Sequence, residues 1–182
     1  SGSLGRPAAD ALIAWWNNAA ESITQRSSAR LGAGARSRLI GVHEPTAHAP
    51  VVVIGAGQAG LSVAYFLRRL GLEPGEDFVV LDRGPGPGGA WQHRWESLRI
   101  GTAHRIADLP GMAELGLGFA DADREAPARD VVADAYARYE AHFGLRVVRP
   151  ADVSVVENNG SELLTTFVDA DGEELTVGSE II

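Results

Sequence analysis

The sequence predicts a three-layer α/β fold with a parallel sheet and a small antiparallel β-meander. Three observations carry that expectation. First, Val51-Val52-Val53-Ile54 and Phe78-Val79-Val80-Leu81-Asp82 are short, apolar, largely β-branched runs, as expected of strands buried on both faces. Second, Leu61, Ala64, Tyr65, Leu67 and Leu70 recur between them at helical spacing and stop at Gly71. The β–α–β set therefore closes within about 32 residues, the size of one crossover unit. Third, alternating segments at about 153–157, 162–168 and 173–177 are separated by Asn158-Asn159-Gly160 and Asp169-Ala170-Asp171-Gly172, both good hairpin turns.

The remaining elements follow in chain order. Residues 1–49 read as a helical extension and linker, with a helix over about 7–26 begun by Pro7 and carrying Leu12, Trp15, Trp16, Ala19 and Ile23 on one side. The Trp15/Trp16 pair packs against the main domain, covers a ligand or meets a second subunit; the sequence leaves these open. Residues 50–182 form the main domain. Within it, 83–127 is rich in Gly, Pro and Trp with little periodicity, predicting a long functional loop with one short helix near 111–116. Residues 128–143 return to helix, with Val131, Val132, Ala135, Tyr136, Tyr139 and Phe143 on a core face, Asp134 and Arg138 as an i,i+4 pair, and Gly144 as the stop. Leu145–Arg149 reads as a third strand, and Glu180-Ile181-Ile182 opens a further one.

Composition narrows the chemistry. A chain of 182 residues, 45% hydrophobic, can bury a substantial core, and a formal net charge of −8 argues against a nucleic-acid-binding face. There is no Cys, which removes thiolate catalysis and Cys-ligated metals; the 16 basic residues are all Arg, which removes Schiff-base chemistry and Walker-type phosphate loops. The five His residues lack metal-ligand spacing, so no metal is expected. No stretch approaches the ~18–20 apolar residues of a membrane span, and a cytoplasmic location is the expectation.

Gly55-Ala56-Gly57-Gln58-Ala59-Gly60 is a G-x-G-x-x-G between a strand and a helix. Gly55 permits the tight turn, Gly57 lets backbone approach a pyrophosphate, and Gly60 lets helix and sheet pack closely. The helix start offers free N–H groups and a positive dipole end to phosphate. Asp82, 22 residues beyond Gly60, stands where a carboxylate accepts ribose hydroxyls and repels a 2′-phosphate, so FAD or NAD is expected there rather than NADP. A second glycine pair then arrives in Gly84-Pro85-Gly86-Pro87-Gly88-Gly89-Ala90-Trp91, with Trp95 beyond it as either a core aromatic or a cofactor wall.

These features, with the Ser97-Leu98-Arg99-Ile100-Gly101-Thr102-Ala103-His104-Arg105 stretch, Leu109-Pro110-Gly111 and Arg129-Asp130, resemble the N-terminal FAD-binding part of flavin-containing and related class B flavoprotein monooxygenases. The resemblance spans about 51–182. It implies that Gly55, Gly57, Gln58, Ala59 and Gly60 hold the FAD pyrophosphate and that Asp82 binds the adenosine ribose with Arg83 beside it. It also implies that Gly89, Ala90 and Trp91 run along the flavin end, that Thr102 lies near the isoalloxazine, and that Val153 meets adenine through its backbone. It further implies that NADPH or NADH reduces the flavin, which then activates O₂ to oxygenate a small organic substrate. The family's A-T-G segment and second glycine fingerprint, for the nicotinamide nucleotide, are not among these residues. The chain is therefore expected to be part of a longer enzyme, with NAD(P)H bound elsewhere. The alternatives are a non-oxygenating FAD/NAD-dependent electron-transfer oxidoreductase, and a non-catalytic nucleotide-binding module that self-associates as a homo-oligomer.

Overall fold

The computed structural model of the chain describes residues 45–103 and 106–182. The helix expected over 7–26, its Trp15/Trp16 pair and His104 lie outside the described residues. The elements run β1 (Ala47–His48), β2 (Val51–Ile54), α1 (Gln58–Arg69), β3 (Phe78–Leu81), α2 (Ala128–Phe143), β4 (Asp152–Asn158), β5 (Leu163–Val168) and β6 (Glu174–Ser179).

β2 and β3 pair in parallel, from Val51 opposite Phe78 to Ile54 opposite Leu81. Single parallel bridges, Leu81 with Val148 and Val51 with Ile181, extend this sheet on either side. The resulting order, the 148 segment, β3, β2 and the 181 segment, is the 3-2-1-4 order of a doubly wound dinucleotide fold. A strand's side chains alternate between faces, and here they divide between two cores. Val53, Phe78 and Val80 pack with Leu61, Ala64 and Tyr65 of α1 and with Val132, Ala135, Tyr136 and Tyr139 of α2. Val52, Val79 and Leu81 pack with Val148, Ala151, Phe167 and Val177. Helices, parallel sheet and meander are thus the three layers the sequence predicts. Each fully buried Val, Leu or Phe side chain contributes roughly 1.5–3 kcal/mol, so both faces of the short sheet are needed. Ile54 departs from the buried pattern, being 44% exposed at the end of its strand.

The meander is antiparallel, β4 to β5 and β5 to β6, with a register shift between Val153 and Val155. The stretch read as linker contributes β1, which pairs in parallel with β6 through Ala47–Val177 and His48–Gly178. Leu145–Arg149 is not a regular strand: Arg146 has φ +48, Val148 alone bridges, and Pro150 has no N–H to continue a ladder. Even so, the Val148 N–H donates to Val80 O and the Asp82 N–H to Val148 O, so the segment occupies the third-strand place.

The 83–127 connection carries three short 3₁₀ turns, Gly89–His93, Met112–Leu115 and Phe119–Asp121, where one short helix near 111–116 was expected. Leu109, Met112, Leu117 and Phe119 sink into the helix-side core. The Tyr139 hydroxyl donates to Pro110 O at 2.7 Å, tying α2 to this loop. α2 ends at Gly144, φ +60, as expected, and the Asp134–Arg138 pair is present at 3.6 Å on its exposed side.

Candidate functional site

The bend from β2 into α1 opens at the C-terminal end of the parallel strands, where ligands of such sheets bind. Gly55 has φ +94 and its N–H donates to Leu81 O at 2.7 Å, so the turn begins as the sheet ladder ends. Gly60 is required by contact: a Cβ there would overlap the Gly55 carbonyl oxygen, and the helix could not lie so close to the turn. Gly57 is different. It caps α1 in an extended conformation, its Cβ position meets nothing within 4 Å, and no side chain caps that helix end. The first turn of α1 has no acidic residue. Uncapped N–H groups and an unobstructed approach are what a diphosphate needs. The Gln58 side chain reaches toward Ala107 O at 3.4 Å, a long contact, while Gln58 O accepts from the Ser62 hydroxyl at 2.7 Å.

The second glycine pair is packed directly against the first. A Cβ on Gly89, which has φ +52, would lie 2.8 Å from Gly57 Cα, and one on Gly88 would lie 3.2 Å from Ala133 of α2. Gly88-Gly89 therefore fills a slot between the glycine turn and α2, one that any side chain would force open. The loop is braced by the Gln92 amide, which donates to Gly86 O at 2.7 Å and more weakly to Gly89 O at 3.3 Å. Trp91 is half-buried against the helix-side core with the Arg94 guanidinium 5.7 Å from its ring centroid. Ala90 is exposed beside it. Trp95 is 61% exposed, which rules out the core-aromatic alternative.

Asp82 stands at the end of β3 beneath the turn, 7% exposed. Oδ2 accepts from the Ala56 N–H at 2.7 Å; Oδ1 accepts from the Gly84 N–H at 2.9 Å and from Arg149 Nε at 3.2 Å. Burial pushes the carboxyl upward, and the two backbone N–H groups and the Arg149 guanidinium together reverse this, leaving it below its ordinary value. Arg149 in turn holds Glu140 of α2 with both terminal nitrogens at 2.7 Å. Arg83, by contrast, points to solvent.

Among the residues expected around a ligand, the structure brings together the glycine turn, Asp82 and Gly89. Val153 lies in β4, half-buried on the meander-side core, two residues past Ala151, whose N–H donates to Asp82 O. Thr102 is on the exposed loop, its hydroxyl donating to Arg99 O at 3.2 Å, and among the described residues no hydrogen bond joins it to the turn. Sequence reasoning missed Arg149, Glu140 and Gln92. Glu140 had a readable signal, a carboxylate four residues after Tyr136 and three before Phe143 on an apolar helix face. Among the described residues no His/Asp/Glu group is arranged to hold a metal ion, and no helix is long and apolar enough to cross a membrane.

The fold and the turn define a Rossmann-like dinucleotide-binding unit. Comparison with known proteins agrees: residues 53–108 match the NAD(P)-binding Rossmann-like domain family. The chain is 41% identical over 61 residues to the uncharacterized oxidoreductase CzcO of Bacillus velezensis, covering 34% of this chain and 16% of that protein. It is 30% identical over 134 residues to a CzcO-like oxidoreductase of Geobacillus kaustophilus, covering 67% of this chain and 35% of the relative. Among solved structures, a flavin-containing monooxygenase from Stenotrophomonas maltophilia is 38% identical with a TM-score of 0.52, over 71% of this chain and 36% of that one. In sequence and fold the chain is similar to part of these oxidoreductases and of the flavin-containing monooxygenase. The matched stretches span 16% to 36% of these proteins' own lengths.

Proposed function

We propose that this chain supplies the FAD-binding part of an NAD(P)H-dependent, monooxygenase-like oxidoreductase that acts on a small organic substrate in the cytoplasm. One observation carries the reading: the uncapped start of α1 opens onto free space at Gly57, with Gly89 packed against the other side of the same backbone. The backbone of Gly55, Gly57, Gln58, Ala59 and Gly60 would seat the pyrophosphate. Among the described residues Asp82 Oδ2 accepts only from the Ala56 N–H, which leaves a further acceptor position on that oxygen. That position would accept one ribose hydroxyl, with the solvent-facing Arg83 beside it. Gly89, Ala90 and Trp91 would line the path toward the flavin ring, Thr102 would lie at its far end, and the Val153 backbone would meet the adenine. When bound there, FAD would supply the redox and oxygen chemistry, with a nicotinamide nucleotide as the source of reducing equivalents. The contribution of these side chains is binding, orientation and exclusion of water. The dinucleotide domain placed at 50–182 takes in residues 45–49 as well, since β1 pairs with β6 and Ala49 joins the meander-side core.

The test is Gly57→Val. Its branched side chain projects into the open space at the turn, so the circular-dichroism spectrum should match wild type while FAD bound per chain falls to near zero. Wild-type flavin content in the folded variant would overturn the pyrophosphate site.

A further inference from the structure

We propose that Arg149, oriented by Glu140, is a positioning residue that sets the shape of the glycine turn through Asp82 before any ligand binds. Four consecutive bonded groups run from α2 to the turn: the Glu140 carboxylate grips both terminal nitrogens of Arg149, Arg149 Nε reaches Asp82, and Asp82 Oδ2 receives the Ala56 N–H. Ala56 lies between the two glycines that open the fingerprint, so holding its N–H fixes the Gly55–Ala56 peptide plane that leads into Gly57. The Arg149 and Glu140 side chains are 11% and 12% exposed, and Asp82 is comparably buried.

A buried ion pair is costly to desolvate, and replacement by apolar residues is often neutral for stability, so the fold alone does not require this one. What apolar residues cannot do is hold Asp82. Glu140 takes one N–H from each terminal nitrogen at the outer fork and Asp82 takes the Nε–H, so the planar guanidinium is fixed between the two carboxylates and holds Asp82 from one side. The Gly84 N–H on the same Oδ1 extends the effect to the second glycine loop. Arg149 thus couples both glycine segments to α2 without itself touching the open face at Gly57.

The affinity arm of the test rests on the proposed FAD site; the exchange arm does not. The double variant Arg149→Met/Glu140→Met is compared with wild type by urea unfolding, by hydrogen exchange on peptides spanning 54–58 and 163–168, and by FAD titration, all on the full chain. The double variant should stay folded, less stable than wild type because Asp82 keeps only its two backbone N–H partners, exchange about tenfold faster at 54–58 relative to 163–168, and bind FAD about tenfold more weakly, each equivalent to ~1.4 kcal/mol. Glu140→Gln, which keeps the shape and loses the charge, should move the same two readouts in the same direction by less, and it decides the matter if the double variant does not fold. Unchanged exchange at 54–58 in a folded variant overturns the proposal. So does faster exchange with unchanged FAD affinity, which would make the network merely structural. If wild type itself fails to bind FAD, the functional reading falls, and protection at 54–58 still decides what Arg149 does.

Discussion

At the bend from β2 into α1, Gly55 has φ +94; at the hairpin between β4 and β5, Gly160 has φ +93. Neither would meet another atom through a Cβ. The two bends differ in where their polar groups find partners. The hairpin is satisfied by its own side chains: Asn158 Oδ1 accepts from the Gly160 N–H, and Asn159 Oδ1 accepts from the N–H groups of Ser161 and Glu162. The glycine turn is held from afar, through Asp82, 26 residues from Ala56, and Arg149, 67 residues from Asp82. A bend that closes on itself has nothing left to offer a ligand. The one supported from below keeps its helix N–H groups free above.

The first way to break the comparison is at Gly60. Its missing Cβ is what lets α1 lie against the Gly55 carbonyl, so Gly60→Ala forces backbone apart. The expected cost is about 3 kcal/mol, at the upper end for overpacking. Gly160→Ala, strained in φ but with open space, should cost only about 1–2 kcal/mol. Urea midpoints of the two variants check the ordering, and equal losses would mean that α1 does not need that approach.

The contrast also marks what the sequence made legible. β2, α1, β3 and α2 were readable because their signals are local: β-branched runs, a 3.6-residue stripe, Gly144 at a helix end. The Asn158-Asn159-Gly160 turn was readable for the same reason. The glycine fingerprint marked the bend between β2 and α1, yet the internal partners of Asp82 were invisible, because they come from Ala56 and Arg149 at distant points of the chain. Leu145–Arg149 looked like a strand because its apolar pattern is right; the left-handed backbone at Arg146 and the turn of Arg149 toward Glu140 prevent a regular one. The 3₁₀ turns of the 83–127 loop have no periodic signature, and burial of Met112 and Phe119 depends on the core that α1 and α2 build first.

A smaller effect is expected from removing each bend's side-chain anchor. Asp82→Ala strips the acceptor from two backbone N–H groups and one guanidinium nitrogen, with Arg149 still held by Glu140. A loss of about 1.5–3 kcal/mol fits hydrogen bonds to a charged group, whereas Asn159→Ala, near solvent, should cost about 1 kcal/mol. Asp82→Ala should also weaken FAD binding, by roughly 1–3 kcal/mol on the same scale, while Asn159→Ala leaves it unchanged. Thermal melts and flavin titration of both variants separate the two anchors.

Acid sharpens the same difference. The folded Asp82 carboxyl lies below its ordinary value of 3.8, so the folded state holds fewer protons there than the unfolded chain. Its contribution is therefore fully present above about pH 4 and lost as pH falls through the folded value. The hairpin's Asn carboxamides do not titrate. As pH falls below about 4, amide protection at Ala56 should fall before protection at Ser161 and Glu162 in hydrogen-exchange profiles, and the difference should vanish in Asp82→Asn.

The smallest expected effect on stability falls at the residue with the largest expected effect on binding. Gly57 has φ −83 and ψ −165, an extended conformation that Ala adopts without strain, and its Cβ position is open. Ala restricts the unfolded chain, which favours folding by ~0.4–1 kcal/mol, but it is a poorer helix N-cap than Gly, which opposes this. The two tendencies nearly cancel, so Gly57→Ala should unfold within about 0.5 kcal/mol of wild type. Its methyl group nevertheless stands where phosphate oxygens would approach the turn, and FAD affinity should drop while stability does not. A Gly57→Ala protein that is destabilised and binds FAD normally would reverse the assignment: the open face would belong to the fold, and the ligand would lie elsewhere.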